Sequence, residues 1–334
     1  MSNTSRNIVL FLFLTVLCIG LFFTDILWGS IRIPFSALFH AENTVYHDII
    51  YNFRLPKAIT AVAAGGAISL AGLIMQTLFR NPLAEPYVLG ISSGAGLGVA
   101  LFLMASTYLP LFLVQSGFGL VIAASLGAAI VLTMVLLVSF RIRNAVSLLI
   151  IGIMLGQIAG SLISILQNYS NPDSLKLYIV WTFGSLSSVT WNYLKIMIPC
   201  VIAGIVLVVA IQKSLNGFLL GESYAKGLGI SILRTRLLII LSATLLAGTI
   251  TAFTGPIAFI GIAVPHIARN LFRTSNHKTT IPAALLCGSI LLLLCDLVTQ
   301  LPAAGYVLPL NAISALVGAP IVIWIIVKRM KINE

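Results

Sequence analysis

Charged side chains are scarce in this sequence. Only 8% of its 334 residues are charged, 59% are hydrophobic, and the mean hydropathy is +1.10. A water-soluble domain carries about 25% charged residues, so this chain has too little polar side chain to cover a surface that faces water. The composition therefore excludes a soluble domain and indicates a protein whose solvent is lipid.

Segments of alternating polarity are also lacking. A membrane β-barrel needs strands of about ten residues in which apolar and polar side chains alternate. This sequence contains long unbroken apolar runs instead. Because every backbone polar group must be hydrogen-bonded within lipid, such runs predict transmembrane helices.

Sequence patterns for catalysis or metal binding are missing as well. There is no Walker motif, and the cysteines form no C-x-x-C pair and share no ligand spacing with a histidine. We therefore expect no enzymatic activity, no metal site and no cofactor. The four cysteines are interpreted as small buried apolar residues; they are Cys18, Cys200, Cys287 and Cys295.

The apolar runs are long enough for about ten transmembrane helices. A helix needs about 20 apolar residues to cross the hydrocarbon layer. The first run is interpreted as a retained helix, because no signal-peptidase site follows it. The predicted spans are roughly 8–29, 56–79, 87–106, 110–139, 144–167, 192–212, 233–253, 257–272, 280–299 and 308–327.

The basic residues are distributed unevenly between the two sides of this arrangement. The net charge is +11, and ten spans place 14 of the 19 basic residues on the side that holds both termini. Basic loops favour the cytoplasm, so both termini are expected there. The excess of positive charge is thus explained by topology, and no nucleic-acid partner is expected. The other five basic residues are Arg32, Arg54, Lys57, Lys176 and Lys195.

Small residues recur every four positions in three of the predicted spans. Residues at this spacing share one face of a helix and allow two backbones to approach closely. The pattern predicts a tightly packed helical bundle. The three sets are Ala61, Gly65 and Ser69; Gly90, Gly94 and Gly98; and Gly152, Gly156 and Gly160.

The longest predicted cytoplasmic segment, 213–236, contains a short amphipathic pattern. Apolar residues recur at four-residue spacing, a glutamate precedes a lysine by four residues, and Gly229 is a plausible C-terminal cap. This predicts a helix with an apolar stripe for a partner protein. An interfacial helix that lies on lipid is the alternative. The stripe is Leu220, Tyr224 and Leu228, and the charged pair is Glu222 with Lys226.

One carboxylate lies inside an apolar run. Asp296 interrupts a stretch of leucines in the ninth predicted span. A charge at this depth is costly and commonly functional, so a coupling carboxylate is one interpretation. The other is that Asp296 lies near the outer end of its span and satisfies neighbouring helix ends.

Several motifs in order resemble the FecCD-type permeases of bacterial ABC importers, the BtuC-like family that carries iron–siderophore complexes, heme and cobalamin. The resemblance covers nearly the full length. It rests on the segments 54–57 (RLPK), 72–76 (GLIMQ), 81–86 (NPLAEP), 89–94 (LGISSG), 221–229 (GESYAKGLG), 259–266 (FIGIAVPH) and 318–320 (GAP), together with Asp296.

The resemblance implies an all-α polytopic fold, with residues 1–334 as one transmembrane permease domain. It also implies a second permease subunit, expected to form a homodimer, two ATP-binding cassette ATPases and a substrate-binding protein as partners. The segment of about 215–232 is similar to the coupling helix that docks on the ATPase. Its matching residues are Gly221, Glu222, Ala225, Lys226, Leu228 and Gly229.

Two further sites follow from the same resemblance. Asn81 and Leu83 match the family's cytoplasmic gate, and Arg54 and Lys57 match basic positions at the outer face that dock the binding protein. Related permeases can carry an additional arginine where Gln300 stands here, so the docking contact is expected to differ.

The expected function is import of a metal chelate, a ferric siderophore or heme, across the bacterial cytoplasmic membrane by alternating access. Cobalamin is the alternative substrate. An ion-coupled secondary transporter is a further alternative, for which Asp296 is the one candidate mid-membrane group.

Overall fold

The computed structural model describes residues 3–29, 44–106, 109, 118–142, 144–301 and 307–330. Regular structure in these residues is helical throughout. The α-helices are α1 (Asn3–Leu27), α2 (Thr44–Ile49), α3 (Leu55–Phe79), α4 (Ile91–Met104), α5 (Phe118–Arg141), α6 (Ala145–Asn168), α7 (Pro172–Thr182), α8 (Trp191–Ala210), α9 (Gln212–Leu219), α10 (Glu222–Gly227), α11 (Ile232–Thr254), α12 (Ile260–Phe272), α13 (His277–Thr299) and α14 (Leu310–Met330), with a π-helix at Ile50–Arg54 and a 3₁₀-helix at Pro86–Leu89.

Each of the ten predicted spans coincides with one helix, and the all-α membrane fold is confirmed. Seven described helical segments are long and apolar enough to cross a membrane, and α4 and the first part of α14 are shorter apolar helices. The helix α12 is also short, with 13 residues. The predicted start of the fourth span at 110 and the loop residue Arg32 lie outside the described residues.

Local sequence explains where several helices begin. The side chain of Asn144 accepts a hydrogen bond from the backbone N–H of Val146 at the start of α6. Asn171 caps α7 in the same way and is followed by proline at the first helical position. Both arrangements satisfy donors that the first helical turn leaves free. The helix α7, together with α2 and the π-helix, was missed because none of them is a long apolar run.

The helices divide into two compact units. The first comprises Met1–Leu70, Ser185–Pro199 and Ile257–Glu334, and the second comprises Ala71–Gly184 and Cys200–Pro256. In the first unit, α13 packs against α1, α12 and α14. In the second, α4 packs against α5, α6, α7 and α11. Whether the chain acts as one permease domain stays a prediction.

Most of the small residues that recur at four-residue spacing lie at close contacts between helices. A Cβ atom on Gly94 would lie 2.6 Å from the carbonyl oxygen of Gly127 in α5, and one on Gly65 would collide with the backbone of Gly288 in α13. The prediction of tight packing is confirmed at these positions. It is wrong for Gly160, where a Cβ atom would meet nothing within 4 Å. Periodicity alone could not show that this end of the stripe lacks a neighbour.

The contrast between two of these glycines gives a matched test of packing. We expect Gly94→Leu to lower the stability of the purified protein by about 1–3 kcal/mol, because the new side chain must displace α5. Gly160→Leu adds the same atoms to open space and is expected to change little. Thermal unfolding in detergent measures both. Equal melting temperatures for the two variants would contradict the close contact between α4 and α5.

Candidate coupling surface and buried ion pairs

The predicted amphipathic helix is present, although it is shorter than expected. The helix α10 contains six residues, and Leu220 precedes it while Leu228 forms its C-cap. The three residues of the predicted stripe are exposed, with relative accessibilities of 61% for Leu220, 57% for Tyr224 and 59% for Leu228. An exposed apolar row of this kind is available to contact a partner.

Glycine is required at both ends of this helix. Gly221 has φ +106° at the N-cap, and Gly229 has φ +78° just beyond the C-cap. L-residues with side chains rarely adopt these values, whereas glycine does so at little cost. The two glycines therefore set the direction of the chain as it enters and leaves α10, and Gly229 follows the helix end as predicted.

The six predicted coupling residues separate into an outer and an inner group. Lys226, Leu228 and Gly229 are exposed, whereas Gly221 and Ala225 are buried and Glu222 is half-buried. The buried pair attaches α10 to the rest of its unit, since the helix contacts α9 and α11. Lys226, Leu228 and Gly229 present the most surface to a second protein, and Glu222 presents part of its side chain.

Glu222 does not form the expected ion pair with Lys226. Its Oε1 atom lies 2.8 Å from Nη2 of Arg236 in α11. Arg236 is only 3% exposed and also donates from Nη1 to the carbonyl oxygen of Ile142, at 2.8 Å. A guanidinium with several donors can bind both acceptors at once. Arg236 therefore connects the N-terminus of α10 to α11 and to the end of α5.

The predicted gate residues occupy a tight turn after α3. Oδ1 of Asn81 accepts a hydrogen bond of 2.9 Å from the backbone N–H of Leu83, which leaves the Leu83 side chain 42% exposed. The preceding residue, Arg80, lies beside the coupling helix, since a Cβ atom on Gly221 would be 3.3 Å from Nη1 of Arg80. The structure thus brings the turn and the N-terminus of α10 together.

The predicted docking cation Lys57 is buried within this chain. Its relative accessibility is 6%, and its Nζ atom lies 2.6 Å from Oδ2 of Asp296 and 3.2 Å from Oδ1 of Asp25. A buried ammonium needs such partners because the cost of removing it from water is large. Lys57 therefore binds α3 to α1 and α13.

Arg54 and Gln300 complete this cluster. Nη1 of Arg54 donates to the carbonyl oxygens of Ile26 and Leu27, both at 2.8 Å, and so caps the C-terminal end of α1. Arg54 is also buried, with a relative accessibility of 8%. Nε2 of Gln300 donates to Oδ2 of Asp296 at 2.8 Å. The docking role of Arg54 and Lys57 stays a prediction.

The cluster favours the structural interpretation of Asp296. This carboxylate is 5% exposed and its Oδ2 atom accepts hydrogen bonds from Lys57 and Gln300. It lies in the last turn of α13, as the interpretation of a helix-end carboxylate requires. Asp25, the second carboxylate that binds Lys57, was not predicted from the sequence. Its position as a single carboxylate near the end of the first apolar run could have indicated a buried ion pair.

No metal site was found in the described part of the chain. Among these residues, no three histidine, cysteine, aspartate or glutamate side chains lie close enough together to hold an ion.

Comparison with known proteins decides the family. The FecCD transport family matches residues 12–328. The chain belongs to this family. As a FecCD protein with many apolar helices, it is a multi-pass membrane permease of the ABC transporter type.

Relatives in this family are similar over most of their length. An uncharacterized ABC transporter permease protein of Bacillus subtilis, YvrB, is 32% identical over 316 residues, which are 90% of this chain and 88% of YvrB. The vitamin B12 import system permease protein BtuC of Photorhabdus laumondii is 36% identical over 282 residues, 84% of this chain and 82% of that protein.

A solved structure of similar fold is an inward-facing transporter assigned to the metal-chelate type of ABC transporter. It has a TM-score of 0.85 and 27% sequence identity, and the match covers 96% of this chain and 99% of the other. The likeness therefore extends over the helices that carry both sites.

Removal of the buried ammonium tests the charge cluster. We expect Lys57→Met to lower the free energy of unfolding by about 3–5 kcal/mol, because two carboxylates lose their cation. A triple variant that adds Asp25→Asn and Asp296→Asn removes the uncompensated charge and should recover part of the loss. The control is Lys195→Met, which alters an exposed lysine. Thermal unfolding of Lys57→Met equal to that of the control would contradict the ion pairs.

Proposed function

We propose that this chain is the membrane permease of an ABC importer that carries a metal chelate, a ferric siderophore or heme, across the bacterial cytoplasmic membrane. The observation that supports this most directly is the exposed apolar row on α10, tied to the membrane helices by a buried arginine. A row of this kind is suited to contact with a cytoplasmic ATPase. The ATPase would supply the energy for transport, because the sequence of this chain contains no Walker motif.

Cobalamin is the alternative cargo. It is favoured by the similarity to BtuC, which is a vitamin B12 import permease in Photorhabdus laumondii. Ferric siderophores and heme are favoured because they are the more numerous substrates of the family to which the chain belongs. All three are bulky chelates, and a substrate-binding protein outside the cell would discriminate between them better than an apolar pathway.

The proposed orientation places both termini, α10 and the Asn81–Leu83 turn in the cytoplasm. The distribution of basic residues supports it, since most of them fall on that side. Two ATPases would contact two copies of α10, one from each permease of a homodimer. The substrate-binding protein would dock at the opposite side.

The contacts of α10 suggest how force reaches the membrane. The Glu222–Arg236 ion pair and the bond from Arg236 to Ile142 link the coupling helix to α11 and α5. The side chain of Arg80 lies beside Gly221, at the turn that carries Asn81 and Leu83. A displacement of α10 by an ATPase would therefore move the ends of α11 and α5 together and act on the neighbouring turn after α3, as opening a gate at that side requires.

Uptake into proteoliposomes tests the proposal. The permease is reconstituted with its ATPases and loaded binding protein, and labelled ferric siderophore, heme and cobalamin are compared. We expect uptake of one chelate with ATP and no ion gradient. Uptake driven by a gradient without ATP would contradict the proposal and favour a secondary transporter.

The same reconstituted transporter tests the role of Arg236 in coupling. We expect Arg236→Gln to reduce the amount of chelate moved per ATP roughly tenfold, since charge-assisted hydrogen bonds contribute about 1.5–3 kcal/mol. The ATPase should still bind, because the apolar row is unchanged. Arg234→Gln, an exposed cation two residues away, is the control. Equal coupling ratios for the two variants would exclude a transmitting role for Arg236.

A further inference from the structure

A polar cavity of about 440 Å³ lies where the start of α1, the end of α12 and the start of α13 meet. It belongs to the first unit and is separate from both the ion-pair cluster and the coupling helix. It is lined by Arg6 and Asn7 of α1, Arg273 and Thr274 after α12, and Asn276 and Thr279 around the start of α13.

The described residues that line this cavity carry two positive charges and no negative charge. Nη2 of Arg6 donates to the carbonyl oxygen of Phe272 at 3.0 Å, which holds the guanidinium in place. Two atoms of the lining are buried and have no hydrogen-bond partner in the structure: the donor Nε of Arg6 and the acceptor Oδ1 of Asn7. A fixed guanidinium with an unused buried donor is suited to an anionic ligand.

The backbone at Arg273 is also unusual. This residue has φ +52°, in the left-handed region that residues with a side chain seldom adopt. A residue in this conformation commonly ends a helix. At this position it ends α12 and leaves an exposed arginine at the edge of the cavity.

The cavity lies at the ends of two apolar helices. Candidate membrane spans begin at Ser5 in α1 and at His277 in α13, next to the residues that line the cavity. The residues that follow Arg6 on the same face of α1 are apolar and exposed, with relative accessibilities of 53% for Val9 and 62% for Phe13. A molecule bound here would meet cations at one end and an apolar helix face at the other.

We propose that this cavity binds the phosphate headgroup of an anionic phospholipid, whose acyl chains lie along α1. Arg6 and Arg273 supply the planar donors that pair with phosphate oxygens. The exposed side chains of Val9 and Phe13, three and seven residues after Arg6 on the same face of α1, contact the acyl chains. Basic pockets between membrane helices bind headgroups of this class on the cytoplasmic side. Which leaflet supplies the lipid depends on the orientation given under the proposed function, whereas the position of the site in the protein does not.

Native mass spectrometry of the purified permease in phosphatidylglycerol tests the site without any ATPase or substrate. We expect the wild-type chain to retain this lipid in preference to phosphatidylcholine. Arg6→Gln with Arg273→Gln should weaken retention about 25-fold, because each cation near a membrane surface contributes about a factor of five. The control is Arg141→Gln with Lys213→Gln, which removes two exposed cations outside the cavity.

The outcomes separate the possibilities. Equal retention by the two double variants would overturn the site, and competition by millimolar inorganic phosphate as strong as that by lipid would show a free-anion site instead. Arg6→Lys with Arg273→Lys should restore part of the binding, which excludes misfolding as the cause. Lipid binding is measured without transport, so its failure and the failure of the importer proposal are distinguishable.

Discussion

A charge inside a membrane protein must find its partner within the protein, and the described part of this chain meets that constraint with ion pairs in both of its units. Lys57 lies between Asp25 and Asp296 in the first unit, and Arg236 binds Glu222 in the second. The first pairing joins helices that are distant in sequence, and the second joins the consecutive helices α10 and α11. Lys57 and Arg236 are both buried, so either cation would be an uncompensated buried charge without its carboxylate partner.

The two assemblies have different consequences for function. The cluster around Lys57 binds α1, α3 and α13, and its cations are directed inward. It suits a rigid support more than an exposed docking surface. Arg236 instead joins a helix with an exposed apolar row to two long apolar helices. Rigid attachment of an exposed helix is what a transporter needs if an outside ATPase is to move its membrane helices.

Much of the fold could be predicted from the sequence because lipid imposes a simple rule on it. Long apolar runs gave the positions of the ten predicted helices, and small residues such as Gly94 and Gly65 indicated where helices touch. Exposure of the row Leu220, Tyr224 and Leu228 was predictable for a similar reason, because four-residue spacing defines one face of a helix.

The ion pairs that were not predicted from the sequence share a physical cause. Glu222 was assigned to Lys226 because the two are four residues apart, yet Arg236 competes from the neighbouring helix with more donors and in a drier environment. Lys57 was assigned to the docking site by family resemblance, and its ion pairs were not predicted because its partners lie 32 and 239 residues away in sequence. Pairings of this kind depend on tertiary packing, which neither composition nor periodicity encodes.

Coupling to a cytoplasmic ATPase requires α10 to be exposed on the cytoplasmic side of the membrane. Tyr224→Cys can be labelled in intact cells with a membrane-impermeant maleimide, in a background where the four native cysteines are replaced by alanine. Labelling only after the cells are permeabilised is the predicted result. Labelling of intact cells would place the coupling surface outside and contradict the account.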